Sequence, residues 1–177
     1  MTRSKILIQL LLSVSTVCTL MGCSKSVKTL SEPADPAISG RVASTDVVKA
    51  TVPEVEISPG NSADATVHIT IQNGYHINSN PPTYPYLKQT ELEIPPGGGV
   101  SVGFITYPDP VMKKFNFAEK PLAVYEGETV LRIMLKADKA ATKGARTLPA
   151  KLRIQACDDQ VCYAPGVLEV EIPLKIK

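Results

Sequence analysis

The chain is 177 residues long, with 19 Lys and Arg against 17 Asp and Glu, a formal net charge of +2. So even a balance excludes nucleic acid as a partner, which would need a concentrated basic face. Fifteen prolines, no tryptophan and few aromatics fit a turn-rich β protein of one domain.

Arg3 and Lys5 supply a positive n-region, and Ile6 to Leu12 is almost wholly apolar. Ser13, Ser15, Thr16 and Thr19 dilute the run up to Gly22, so the stretch is short and weak for a membrane span. A cleaved signal over residues 1–22 is expected, and Cys18 leaves with it. Leu20-Met21-Gly22-Cys23 is similar to the bacterial lipobox, in which the cysteine is acylated and becomes the first residue. Several acyl chains on Cys23 would anchor the protein, since one chain gives only marginal binding. Ser24 favours the outer membrane by the sorting rule of enteric bacteria. Loss of the leader removes Arg3 and Lys5 and no acid, so the mature charge is zero. Residues 23–45 are polar and aperiodic and read as a flexible tether, with the folded domain over 46–177.

Beyond the tether the dominant period is two. Ala65, Val67, Ile69 and Ile71 alternate with polar residues, as do Leu131, Ile133 and Leu135. Leu148, Ala150, Leu152, Ile154 and Ala156 form a third run, and Leu168, Val170, Ile172, Leu174 and Ile176 a fourth. Each predicts a strand with one buried and one wetted face. Weaker strands are expected near 48–57, 87–94, 100–107 and 122–126, with Pro and Gly clusters between them. Residues 137–145 have helical composition but are too short and Gly-broken for a helix. Eight or nine strands with turns at this spacing predict an all-β, immunoglobulin-like antiparallel β-sandwich. Pro173 suggests that the last strand lies at an edge.

One cysteine pair remains in the domain, Cys157-Asp-Asp-Gln-Val-Cys162. A four-residue connection is a common hairpin length, and residues flanking it face each other with Cα atoms roughly 4.5–5.5 Å apart. That separation suits a disulfide. In an exported protein the plain reading of an isolated pair is structural. Two arguments weigh against it. Continuing the alternation from Leu148, Cys157 falls on the wetted face with Lys151, Arg153 and Gln155, out of phase with the core. A loop of this length also gains only about 2 kcal/mol from closure, against about 5 for a hundred-residue loop. Asp158 and Asp159 disfavour a thiolate, and no Lys or Arg in the loop offsets them.

The segment Gln155-Ala-Cys-Asp-Asp-Gln-Val-Cys-Tyr-Ala-Pro165 resembles the active-site hairpin of the amino-terminal periplasmic domain of DsbD, the thiol-disulfide interchange protein. Gly74-Tyr-His-Ile-Asn-Ser-Asn-Pro-Pro82 and the stretch from Tyr107-Pro-Asp-Pro through Lys114-Phe-Asn-Phe117 to Val124-Tyr-Glu-Gly127 fit the same family. These blocks and the terminal strand span most of 47–177. The resemblance implies an immunoglobulin-like fold with a redox-active pair. It implies electrons taken from a thioredoxin-like partner and passed to periplasmic thiol proteins of thioredoxin fold, such as a disulfide isomerase and a reductant of cytochrome c maturation. By motif position Cys162 would form the mixed disulfide and Cys157 would resolve it. The family shields its pair with an aromatic cap, for which Phe117 is the candidate and Phe115 the alternative. Tyr163 matches the aromatic position after the second cysteine. The four-residue spacing is shorter than in some members, and Ala164 replaces a frequent proline. No membrane conductor or thioredoxin-like domain follows residue 177, so a free-standing, lipid-tethered version with a separate membrane reductant is expected, the direction of electron flow being open.

His68 reads as a solvated strand residue. His76 could approach the cysteines as a third ligand for zinc or copper, but one Cys pair without a second ligand pair is poor evidence, and no metal or cofactor is expected. Tyr75, Tyr84 and Tyr86 with their neighbouring prolines read either as a docking surface or as packing for a long loop. The rival function is an immunoglobulin-like lipoprotein module for binding or assembly, with a purely structural disulfide.

Overall fold

The computed structural model describes residues 42–177. The expected signal peptide, the lipid-bearing Cys23 and the tether up to residue 41 lie outside the described residues. A 3-10 turn, Ser44–Val47, opens the fold. Twelve strands come after it: β1 Val48–Thr51, β2 Val55–Ile57, β3 Ser62–Ile71, β4 His76–Asn78, β5 Glu91–Glu93 and β6 Val100–Thr106, then β7 Val111–Lys113, β8 Leu122–Tyr125, β9 Glu128–Ala137, β10 Gly144–Ile154, β11 Ala156–Cys157 and β12 Gly166–Ile176.

Three four-stranded sheets result, ordered β1-β3-β9-β6, β2-β12-β10-β5 and β11-β4-β8-β7. The first two contribute the alternating residues of the four long strands to one core. Val67, Ile69, Leu131, Ile133 and Leu135 from the first sheet meet Leu148, Leu152, Ile154, Ile172 and Leu174 from the second. Period-two burial on both sheets produces the immunoglobulin-like sandwich that the sequence predicts. The third sheet is built from short pieces that carry no long alternation, which is why the chain reads as fewer strands than it forms. Its Ile77, Tyr125 and Ala156 join the same core, while Phe115, Leu122 and Val124 make a second, smaller cluster.

Two expectations need correction. β12 is not an edge strand: it pairs with β10 along its whole length and with β2, in parallel, over Leu174–Ile176. Pro173 sits just before β2 joins, so the strand is edge-like up to the proline and central beyond it. Cys157 is not on the wetted face either, being 0% exposed. Alternation persists only while a strand stays in one sheet. The chain leaves the second sheet at Gln155 and enters the third as β11, so Ala156 and Cys157 are buried in succession. The stretch between β9 and β10, helical by composition, holds no helix.

The domain also begins earlier than residue 46. Ser44, assigned to the tether, is buried, and Thr45 packs so closely on Gly166 that a Cβ there would come within 2.7 Å of the threonine methyl.

Candidate functional site

The cysteine hairpin is held at its base, its turn and its entry by different groups. At the entry, Gln155 marks the change of sheet. Its Oε1 accepts from the Lys88 N–H at 3.0 Å and from Asn78 Nδ2 at 3.1 Å, and its Nε2 donates to the Tyr163 carbonyl at 3.1 Å. Two of these bonds satisfy backbone groups, the Lys88 N–H and the Tyr163 carbonyl, beside the point where the strand breaks. At the base, the Ser44 hydroxyl donates to the Ala164 carbonyl at 2.6 Å and accepts from the Ala156 N–H at 2.9 Å, spanning both arms. The Tyr163 N–H donates to the Ala156 carbonyl at 2.8 Å.

At the turn, Asp158 Oδ1 accepts from the N–H groups of Gln160 at 2.7 Å and Val161 at 2.8 Å, as Asp does in a tight turn. Its other oxygen accepts from the Tyr163 hydroxyl. That hydroxyl bond, helped by the two backbone donors, holds the Asp158 carboxyl below the ordinary carboxylate range. The same contact pushes the Tyr163 phenol up to about 12. By sequence Asp158 is only an acid near a thiol; in the fold it fastens the turn.

Cys157 and Cys162 are disulfide-bonded, S–S 2.02 Å, with Cα atoms 3.9 Å apart, closer than the ladder spacing suggests. The two sulfurs are not equivalent in access. Cys157 lies inside, whereas Cys162 is half-buried and lines an open cavity of about 580 Å³. Tyr84, Tyr86, Leu87, Phe117 and Val161 line the same cavity. Phe117 is 43% exposed, and its ring lies 5.2 Å from that of buried Phe115. Tyr84 and Tyr86 stack at 5.2 Å beside them, and Tyr75 lies 6.0 Å from Tyr163. The tyrosines expected as either docking or packing residues therefore flank the cysteines on two sides.

His76 is the cross-strand partner of Cys157, and Cys157 bridges in turn to Cys162. Directly paired residues share a face, so the three side chains form one row. The imidazole is 2% exposed and packs edge-on to Phe115 at 5.3 Å. The Lys113 ammonium donates to its Nε2 at 2.5 Å, and Glu126 lies 3.2 Å from the same nitrogen. Burial first, and then the Lys113 charge, lower the His76 pKa; Glu126, the Cys157 backbone and Asp159 oppose them. Lys113 also reaches Asp159 at 3.9 Å, supplying from β7 the cation that the hairpin itself lacks. His68, by contrast, bonds locally to Thr66 at 3.2 Å, far from the pair in the ladder. Among the described residues no cluster of three His, Cys, Asp or Glu is arranged to hold a metal, and no helix is long and apolar enough to cross a membrane.

Sequence reasoning reached the cysteines, the aromatic segment and His76, but not Ser44, Lys113 or Glu126. A serine in a polar tract and a lysine beside another lysine carry no local signal of a contact made through the fold.

Residues 45–173 match the family described as "Thiol:disulfide interchange protein DsbD, N-terminal". No curated protein matches the chain. Among solved structures, the chain is similar to the N-terminal periplasmic domain of ScsB from Proteus mirabilis, at 17% identity and a TM-score of 0.46, covering 73% of this chain and 45% of that one. CaCohA2 from Clostridium acetobutylicum is similar at 11% identity, TM-score 0.42, with 74% and 91% covered. The seventh ScaB type I cohesin from Pseudobacteroides cellulosolvens is similar at 6% identity, TM-score 0.44, with 73% and 92% covered. The chain thus spans less than half of the ScsB domain's length. With well over half of its residues matched and a bonded cysteine pair at the hairpin, the protein belongs to the DsbD N-terminal domain family of thiol:disulfide interchange proteins.

Proposed function

We propose that the domain is a thiol-disulfide exchange relay in the cell envelope, passing electrons through Cys157 and Cys162 between a membrane or thioredoxin-like reductant and periplasmic thiol proteins of thioredoxin fold. One observation carries this reading: Cys157 is buried while Cys162 opens onto a cavity. Exchange needs one sulfur that a foreign thiol can reach and a second held in reserve. In the reducing direction the Cys162 thiolate attacks a client disulfide, forming a Cys162–client bond and releasing the client's other sulfur as a thiolate. The Cys157 thiolate then attacks Cys162. The Cys157–Cys162 bond forms, and the electron pair of the breaking bond leaves on the client sulfur, which takes a proton from water. Two electrons have moved from the domain to the client.

Phe117, exposed and beside Cys162, acts in this reading as the shield against small oxidants. Buried Phe115 anchors it, and Tyr163 braces the turn. A lipid on Cys23 would hold the domain at the membrane, the outer one if the enteric sorting rule applies to Ser24. The test is trapping in cells. Cys157→Ala leaves Cys162 without its resolving partner, so a covalent, reductant-sensitive adduct with a periplasmic protein is expected. Absence of any adduct, together with a wild-type pair that never becomes reduced, returns the disulfide to a structural role.

A further inference from the structure

His76 Nδ1 is buried and has no hydrogen-bond partner at proper geometry among the described residues, although the Cys157 backbone is near enough to favour its protonation. An orphaned buried polar atom costs stability and calls for a reason. The tautomer is set by the other nitrogen. Nε2 has the Lys113 ammonium, which can only donate, at 2.5 Å and the Glu126 carboxylate, which can only accept, at 3.2 Å. The shorter contact to Lys113 favours the neutral tautomer with its proton on Nδ1. An N–H is therefore buried on the residue paired across the ladder with Cys157, on the same face as both sulfurs.

We propose that His76 is a positioning residue for the exchange reaction: its Nδ1–H is the donor that receives the Cys157 sulfur once the disulfide opens, holding it as a thiolate aimed at Cys162. This rests on the relay reading of the pair. A thiol in apolar surroundings resists ionisation, and the resolving step needs the thiolate. Neighbouring carboxylates make matters worse. The charged groups facing His76 are Lys113 from β7, Glu126 from the end of β8 and Asp159 from the hairpin turn. Of these, Lys113 alone favours an anion in the row, and it acts through the ring. The Cys157 proton goes to water, and the imidazole neither takes nor gives one. In the disulfide the sulfur is a poor acceptor and Nδ1–H has only the off-geometry Cys157 backbone beside it; on reduction the donor gains a strong acceptor.

The test uses purified protein and a small dithiol, so its outcome does not depend on whether a cellular partner exists. In a Cys162→Ala background, thiolate absorbance titrates Cys157 alone. His76→Leu is expected to raise that midpoint by about one pH unit, a tenfold loss of thiolate. With both cysteines present, at a pH above both midpoints, the same substitution should shift the equilibrium with dithiothreitol about tenfold toward the disulfide, about 30 mV. His76→Asn, whose side-chain amide replaces Nδ1–H, should restore most of both. Changes under about twofold in a folded Leu variant, or an Asn variant no better than Leu, overturn the proposal. Should the Leu variant not fold, nitrogen-15 NMR of unsubstituted His76 decides. A protonated Nδ1 whose proton moves downfield on reduction supports the proposal, and an unprotonated Nδ1 in both states, or no shift, sinks it.

Discussion

Ser44→Ala is the sharpest test of how the hairpin is supported. The hydroxyl makes two bonds to groups 112 and 120 residues away in sequence, one to each arm. Removing it strands the Ala156 N–H in a fully buried setting, at a cost of about 1–3 kcal/mol. The Ala164 carbonyl belongs to an exposed residue and can turn to water, so its loss adds only about 0.5–1 kcal/mol. The sum is about 1.5–4 kcal/mol. With a urea m-value of about 2 kcal/mol/M for a domain of this size, the unfolding midpoint should fall by about 0.75–2 M. Equilibrium urea denaturation of the oxidised protein, followed by tyrosine fluorescence, measures it. Ser44→Thr keeps the hydroxyl and should recover part of the loss. A midpoint within about 0.2 M of wild type would mean that the 3-10 turn does not brace the hairpin and that residue 44 belongs functionally to the tether.

Two further predictions concern the pair and its turn. Reduction should leave the domain folded, with a loss of no more than about 2 kcal/mol in urea, because the six-residue loop is small and the core joins the two large sheets without it. Global unfolding on reduction would instead mark the disulfide as structural. Asp158, whose carboxyl is held below its ordinary value of 3.8, binds a proton less readily folded than unfolded. Its contribution is present above that ordinary value and is lost as pH falls through the lower, folded one. Tyr163→Phe removes the main cause, so the Asp158 titration should move up toward 3.8 and the turn should loosen at a higher pH. Carboxyl NMR titration, with hydrogen exchange at Gln160 and Val161, reads both. An unmoved titration would show that the phenol does not govern this carboxylate.

The long strands were legible because period-two burial is a local property. Val67 to Ile71 and Leu148 to Ile154 each keep one face inward across a sheet wide enough to repeat the pattern. The same logic misplaced Cys157, since an alternation read across Gln155 assumes that the chain stays in one sheet. Pro173 misled for a related reason: edge or centre can change within one strand when a short neighbour covers only its end.

Composition, periodicity and the cysteine spacing therefore determined an all-β domain with a short hairpin able to close a disulfide, because those features depend on residues adjacent in the chain. Tertiary structure decided how deeply each sulfur is buried, and it brought Ser44, His76, Lys113 and Glu126 to the hairpin from segments far away in sequence. Burial and charge at the pair are sums over neighbours in space, and no single stretch of the chain contains them.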